Sequence, residues 1–311
     1  MINRIAACCL LCIFALGLTP ALAASETSAE IINAAPIAEN LELETYRGVS
    51  VGGRLSAHDP DGDEVTFELA TEPMKGTVQL SADGYFVYTP EEGKRGKDYF
   101  GFRAVDSQGN ASQEATAIIK LLRQKTAVTY SDMTGSASEY AATALTEAGV
   151  FTAETLGDDY VFAPAETVTR GEFLAMCMTA ADCKLLKGVH STGFLDDGDI
   201  AAWLKPYVAT ALMNGQIQGI AAETGALFQP DAAITMKDAC VLLNAVLGLT
   251  DVVSAASYVN LPSEDSAWVQ AAANLTACRV MPLRWDDWEQ QLSRSQAAEM
   301  LLSAMALLES R

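Results

Sequence analysis

The stretch Thr167-Val168-Thr169-Arg170-Gly171-Glu172 sets a guanidinium directly after a threonine and two residues before a glutamate. A Thr or Ser followed three residues later by Glu or Gln is a capping box, in which each side chain satisfies a backbone N–H at a helix start. The pattern recurs as Thr235 with Asp238 and as Ser293 with Gln296, aspartate being the weaker partner. Val168, Ile234 and Leu292 precede the three caps and suit hydrophobic staples. Capping explains the hydroxyls and the acids, but not Arg170 and Arg294. A cation in a first helical turn faces the positive end of the dipole, at a cost of about 0.3–1 kcal/mol. Two readings account for the arginines: an external anion gripped at a helix start by a planar fork, or a surface salt bridge to a nearby carboxylate.

A second chemical candidate is His-Asp-Pro-Asp-Gly-Asp-Glu at 58–64. Asp59, Asp61 and Asp63 alternate, which suits a hard cation such as calcium. The same letters also make a plain Pro-Asp-Gly turn. Counting twelve from Asp59 reaches Ala70 rather than a glutamate, so the loop is not an EF-hand. Catalytic patterns are missing: the sequence has no GxSxG, HExxH or P-loop, and its only histidines are His58 and His190. Acid pairs such as Asp196-Asp197 and Asp286-Asp287 follow from an acidic composition. No enzyme is expected.

That composition is 20 Lys and Arg against 40 Asp and Glu over 311 residues, a net charge of −20. Nucleic acid is not an expected partner of so negative a field. Residues 1–23 read as a secretory signal peptide, with Arg4, an apolar run from Ile5 to Leu18 and Ala-Leu-Ala at 21–23. No later stretch is apolar enough to cross a membrane, so no membrane contact is expected after removal of the signal. Residues 24–34 read as a flexible leader. Cys177, Cys183, Cys240 and Cys278 lie beyond the signal; buried small thiols or disulfides both fit an exported chain.

Two grammars divide the rest. From 35 to 122, short alternating runs such as Val65–Ala70, Tyr85–Pro90 and Ala115–Leu122 are separated by Gly, Pro and Asp turns, which predicts an all-β sandwich. After a linker at 123–128, apolar residues take helical spacing. Tyr130, Phe194 and Tyr258 recur at an interval of 64 residues, each followed by a helical run, a Val or Ile, and one of the three capping stretches. Phe-x-Pro precedes the first two of those stretches, at Phe162 and Phe228.

Three units of aromatic-x-Asp, helix, Gly-Val, Phe-x-Pro, Thr-Arg-x-Glu, helix resemble S-layer homology domains, over 129–190, 191–254 and 255–310. The resemblance implies an all-α, three-repeat pseudo-trimer whose grooves bind an anionic, in some members pyruvylated, cell-wall polysaccharide. It places the protein at the cell surface, secreted and held non-covalently on the wall, with surface-layer proteins as further partners. By position, Arg170 and Arg294 match the family arginine, while Met236 with Lys237 replaces it in the second unit. Asp132 and Asp196 match the aspartate near the repeat start, and Asn260 replaces it in the third. Trp203 and Trp268 match the aromatic before the first helix, and Gly149 the glycine of the Gly-Val step, with Gln216 and Arg279 in its place elsewhere. Each has a bland reading: the tryptophans as core, the aspartates as caps, Gly149 as a helix C-cap. The segment 36–122 resembles bacterial cadherin-like or Ig-like modules, which implies a spacer or adhesive unit and calcium at Asp59, Asp61, Asp63 and Asp106. An alternative function is an adhesin or S-layer assembly protein whose sandwich binds a protein or glycan.

Overall fold

The computed structural model describes residues 33–157, 159–250, 267–282, 284–285 and 287–311. The signal and leader expectations, and the third repeat start at Tyr258 and Asn260, lie outside these residues. Residues 34–311 form one compact unit.

Nine strands come first: β1 (Ile37–Ala38), β2 (Leu41–Tyr46), β3 (Val51–Arg54), β4 (Ala57–His58), β5 (Val65–Thr71), β6 (Gly76–Leu80), β7 (Tyr85–Pro90), β8 (Gly96–Asp106) and β9 (Ala115–Leu122). One sheet runs β2-β9-β8-β5 and a second β3-β7-β6, with a short β1-β4 pair beside them. β2 lies parallel to β9, and the other pairings are antiparallel. Alternation along β7 and β9 buries every second side chain. Phe86 and Tyr88 from one sheet meet Phe100, Phe102 and Ile119 from the other, all at most 1% exposed. The Phe86 and Phe100 rings meet edge to face at 5.1 Å. This is the expected sandwich.

Among the described residues the C-terminal part holds six helices: α1 (Glu139–Glu147), α2 (Arg170–Ala180), α3 (Lys205–Met213), α4 (Met236–Leu247), α5 (Ala267–Ala277) and α6 (Arg294–Ser310). It is not all-α. Two antiparallel ribbons interrupt it, β10 (Glu154–Leu156) with β11 (Asp159–Val161), and β12 (Ile220–Ala222) with β13 (Gly225–Leu227). Each ribbon carries the chain from the end of a helix to the next Phe-x-Pro corner. The four short strands are largely exposed and leave no periodic apolar signature.

The predicted caps form. Thr169–Glu172 and Ser293–Gln296 close complete boxes. Thr235 accepts from the Asp238 backbone N–H, but the shorter Asp238 side chain does not reach back. The residues before the caps do more than staple a helix. Val168 N donates to Leu292 O at 2.9 Å, Leu292 N to Ile234 O at 2.8 Å, and Ile234 N to Val168 O at 3.0 Å. Three distant segments thus close a ring of backbone hydrogen bonds, its side chains at most 2% exposed. Around it α1 packs on α6, α3 on α2 and α5 on α4, while α2 touches both α4 and α6.

The sandwich is docked on α1. Tyr140 N donates to Ser50 O and Gly52 N to Ala137 O. The Tyr46 and Tyr140 rings meet at 5.2 Å, their hydroxyls donating to Glu147 and Glu44. Residues 123–128, expected as a linker, are tied down: the Lys125 and Thr126 amides donate to Glu147 at 2.7 Å. Glu139, 3% exposed, accepts from Ser50 N at 3.0 Å and Gly135 N at 3.1 Å. Burial pushes its carboxyl above the ordinary glutamate range, against the downward pull of those N–H groups. An acid raised by folding stabilises the fold where it is protonated, and that increment is lost as pH rises through the raised value. Glu139→Gln keeps an acceptor without charge, and is expected to flatten the fall in melting temperature as pH rises above the ordinary glutamate range. Glu139→Ala orphans buried donors and should lower stability by about 1–3 kcal/mol in urea unfolding at neutral pH.

Candidate functional site

Each motif arginine reaches across a joint to the Phe-x-Pro corner of another unit. Arg294 N donates to Glu166 O and Ser295 N to Pro164 O; Arg170 N donates to Ala232 O and Gly171 N to Pro230 O. At the remaining joint Met236 N donates to Gln290 O and Lys237 N to Trp288 O. The same pair of backbone hydrogen bonds forms at all three joints, and the side chains there differ.

The Arg294 guanidinium lies 5.0 Å from the Phe162 ring centroid and 5.3 Å from that of Phe151. Its Nε donates to Phe162 O at 2.7 Å, which orients the fork. It lines a cavity of about 340 Å³ with Gly149, Trp203, Tyr207, Glu154 and Glu172. The Glu172 carboxylate is turned back to Thr169 N. Trp203 is 58% exposed and meets Tyr207 edge to face at 6.3 Å. Arg294, Trp203 and Gly149, matched by position in the sequence, therefore share one groove.

Arg170 lies 5.7 Å from the Phe228 ring and lines a second cavity of about 360 Å³ with Gly215, Gln216, Gly219, Asp238 and Ala267. Its Nε is buried and has no partner, as is Gln216 Oε1. Burial pushes the guanidinium down from its usual range, and the Asp238 charge opposes that shift. At the third joint Met236 is buried and Lys237 is paired with Glu289 at 2.5 Å.

Asp132 and Asp196 are not among the residues that line the two cavities. Asp132 accepts from Phe162 N at 2.9 Å and Ala163 N at 2.7 Å; Asp196 accepts from Phe228 N and Gln229 N at the same two distances. They hold the left-handed Ala163 (φ 54°) and Gln229 (φ 58°), and so fix the corner beneath each arginine. Capping a turn was the bland reading of both aspartates.

Two register assignments need correction. Gly215 (φ 70°), not Gln216, corresponds to Gly149 (φ 74°), and Arg279 takes the same left-handed turn at φ 57°. Gln216 N donates five residues back to Ala211 O, as Val150 N does to Leu145 O and Val280 N to Leu275 O. Between its aromatic start and this turn the first unit is two residues shorter than the second and third, a difference that simple letter matching absorbs at the wrong place. The second and third units keep a constant interval of 64 residues, which makes Ala267, not Trp268, the counterpart of Trp203. Trp268 packs on Trp288 at 5.3 Å instead, and Trp288 on Trp285 at 5.8 Å.

In the sandwich, Asp59 is 6% exposed and its Oδ1 accepts from Asp61 N and Asp63 N, a tight turn. Asp61 accepts from Ala34 N. Asp106 accepts from Gln108 N and Asn110 N in its own turn. Among the described residues no group of three or more His, Cys, Asp or Glu is placed to hold a metal ion. Asp59 Oδ2 and Asp63 Oδ2 are nonetheless buried without a hydrogen-bond partner. Cys177, Cys183 and Cys240 are thiols outside any disulfide, and Cys177 and Cys240 are buried.

Residues 33–123 match the model of the bacterial cadherin-like domain, and residues 129–174 that of the S-layer homology domain. The chain carries both domains, in that order. An S-layer homology domain supports cell-wall anchoring of a surface protein, and a cadherin-like domain fits an adhesive module. Neither family is catalytic. No helix among the described residues is long and apolar enough to cross a membrane.

No curated protein matches the chain. Similar solved structures include an endo-fucoidan hydrolase from glycoside hydrolase family 107, at 20% identity over 30% of this chain and 14% of that one, TM-score 0.24. A putative alpha-galactosidase/melibiase from Bacteroides fragilis matches at 10% identity over 29% and 18%, TM-score 0.24. The D00-D0 domain of intimin matches at 17% identity over 29% and 47%, TM-score 0.21. The chain thus spans less than a fifth of the two hydrolases, and likenesses this slight bear on no functional question.

The Asp132 clamp carries a prediction. Asp132→Ala frees two backbone donors and releases the corner under Arg294. Urea unfolding should show a loss of about 1.5–3 kcal/mol, the worth of hydrogen bonds to a charged acceptor.

Proposed function

We propose that the helical part is a three-repeat S-layer homology unit of pseudo-threefold form that holds the protein on the cell wall. It binds an anionic, pyruvate-bearing wall polysaccharide without covalent linkage and displays the sandwich outward. One observation supports this above the others: Arg294, aimed by its bond to Phe162 O, shares a groove with the exposed face of Trp203. A guanidinium fork suits a carboxylate, and an indole face suits a sugar ring. The negative field of the chain repels an acidic polymer, so affinity must come from groove contacts and should fall with added salt. Lys237, paired with Glu289, adds little to this binding. The sandwich then acts as an adhesive or spacer module, with other surface-layer proteins as candidate neighbours.

The test is co-sedimentation of the secreted chain with cell-wall sacculi before and after chemical stripping of the secondary polymer. Binding should disappear on stripping and drop at least about tenfold in Arg294→Ala, roughly 1.4 kcal/mol. Binding indifferent to both treatments contradicts the proposal, and leaves an adhesin acting through the sandwich as the better reading.

Calcium is a second proposal, favoured by the two partnerless buried oxygens. Asp59 Oδ2 and Asp63 Oδ2 would contribute two ligands at the 58–64 turn, well short of the six to eight that calcium takes. Millimolar calcium should raise the melting temperature of the wild type and leave Asp59→Asn unchanged. Equal melting of the wild type with calcium and with a chelator contradicts it.

A further inference from the structure

The Arg294 and Arg170 grooves share one backbone plan but not one chemistry. In the Arg294 groove the third residue of α2 is Glu172, long enough to close its capping box on Thr169 N. In the Arg170 groove the same position of α4 is Asp238, which cannot close the box and whose charge acts on Arg170 instead. Trp203 walls the first groove, and Ala267 stands in its place in the second. Arg294 Nε is engaged by a carbonyl; Arg170 Nε and Gln216 Oε1 are not engaged at all. Gln216 replaces Val150, its counterpart in the first groove. The second groove thus holds an arginine and an aspartate in its lining, an amide, and an unspent donor and acceptor, without an aromatic wall.

We propose that the two grooves divide the ligand between them. The Arg294–Trp203 groove takes the acidic sugar, and the Arg170–Asp238–Gln216 groove takes an uncharged, hydroxyl-bearing sugar. This rests on the wall-polymer reading above. A sugar hydroxyl is donor and acceptor together. It can give its proton to Asp238 or Gln216 Oε1 and accept from Arg170, whereas a carboxylate there would meet the like charge of Asp238; in the Arg294 groove Glu172 is instead turned back to Thr169 N and Glu154 lies exposed on β10. Asp238 is therefore a specificity-determining residue: it keeps a groove that has the family arginine from taking the anion.

The experiment uses the secreted chain, labelled at arginine side chains and glutamine amides, and two probes. One is a methyl glycoside carrying a 4,6-linked pyruvate ketal; the other is the same glycoside without the ketal. In titrations followed by NMR, the acidic probe should move the Arg294 Nε–H signal, and the neutral probe the Arg170 Nε–H and Gln216 amide signals. Calorimetry should count one acidic probe per wild-type chain. Trp203→Ala, a change at an exposed side chain, should weaken that site by about tenfold or more. Asp238→Asn should add a second acidic site, abolished again by Arg170→Ala in the same chain. Two acidic probes per wild-type chain, or a neutral probe that moves neither Arg170 nor Gln216, overturns the division while sparing the anchoring reading. An acidic probe that binds neither the wild type nor Asp238→Asn overturns both.

Discussion

Everything in the helical part hangs on a ring of three backbone hydrogen bonds. Val168, Leu292 and Ile234 each donate to the next at 2.8–3.0 Å, in a space closed to water. Buried backbone groups must be paired, so these segments, far apart in sequence, find partners only in one another. The ring sits one residue before three helix caps. Closing it sets the starts of α2, α4 and α6 and delivers the residue after each cap to the corner of another unit. Arg294 over Phe162 and Arg170 over Phe228 follow from that register. Grooves form because helices radiate from a shared centre, and their chemistry is whatever side chains the joints present.

The corners are fixed by their own polar clamps. Asp132 and Asp196 hold left-handed residues with identical hydrogen-bond distances, and the arginines then stack above. The third joint differs at every one of these points among the described residues. It has Met236 in place of an arginine, Lys237 tied to Glu289, and a tryptophan cluster where Phe-x-Pro would be. Arginine and Phe-x-Pro are lost together, as expected if each needs the other for packing. The sandwich is no loose appendage: main-chain hydrogen bonds and the Tyr46–Tyr140 pair bind it to α1, so whatever it displays has a set orientation to the Arg294 joint.

Much of this was legible in the sequence because it is local. Capping boxes, strand alternation in β5 to β9 and the turn residues between them depend on near neighbours. The pairing of Arg170 and Arg294 with helix starts was legible for the same reason. The ring was not, since a backbone hydrogen bond between Val168 and Leu292 leaves no mark on residue type beyond an apolar side chain. In β2, Leu-Glu-Leu-Glu-Thr-Tyr alternates as a strand should, with Glu42 and Glu44 on its exposed side. Gln216 and Trp268 each stand one residue beyond the structurally equivalent position, because geometry rather than the identity of a letter decides which residues correspond. The aspartates were matched to the right positions, yet only coordinates reveal that backbone amides occupy their oxygens.

The proposal that the Arg294 joint is where the wall polymer docks can be met head on by amide hydrogen exchange of the intact chain, with and without purified wall polysaccharide. Protection should gather in the turn from Gly149 to Glu154, at the start of α3 around Trp203 and at the start of α6, and leave β5 to β8 as they were. Protection confined to the sandwich, or spread evenly over a chain that binds, would contradict the account.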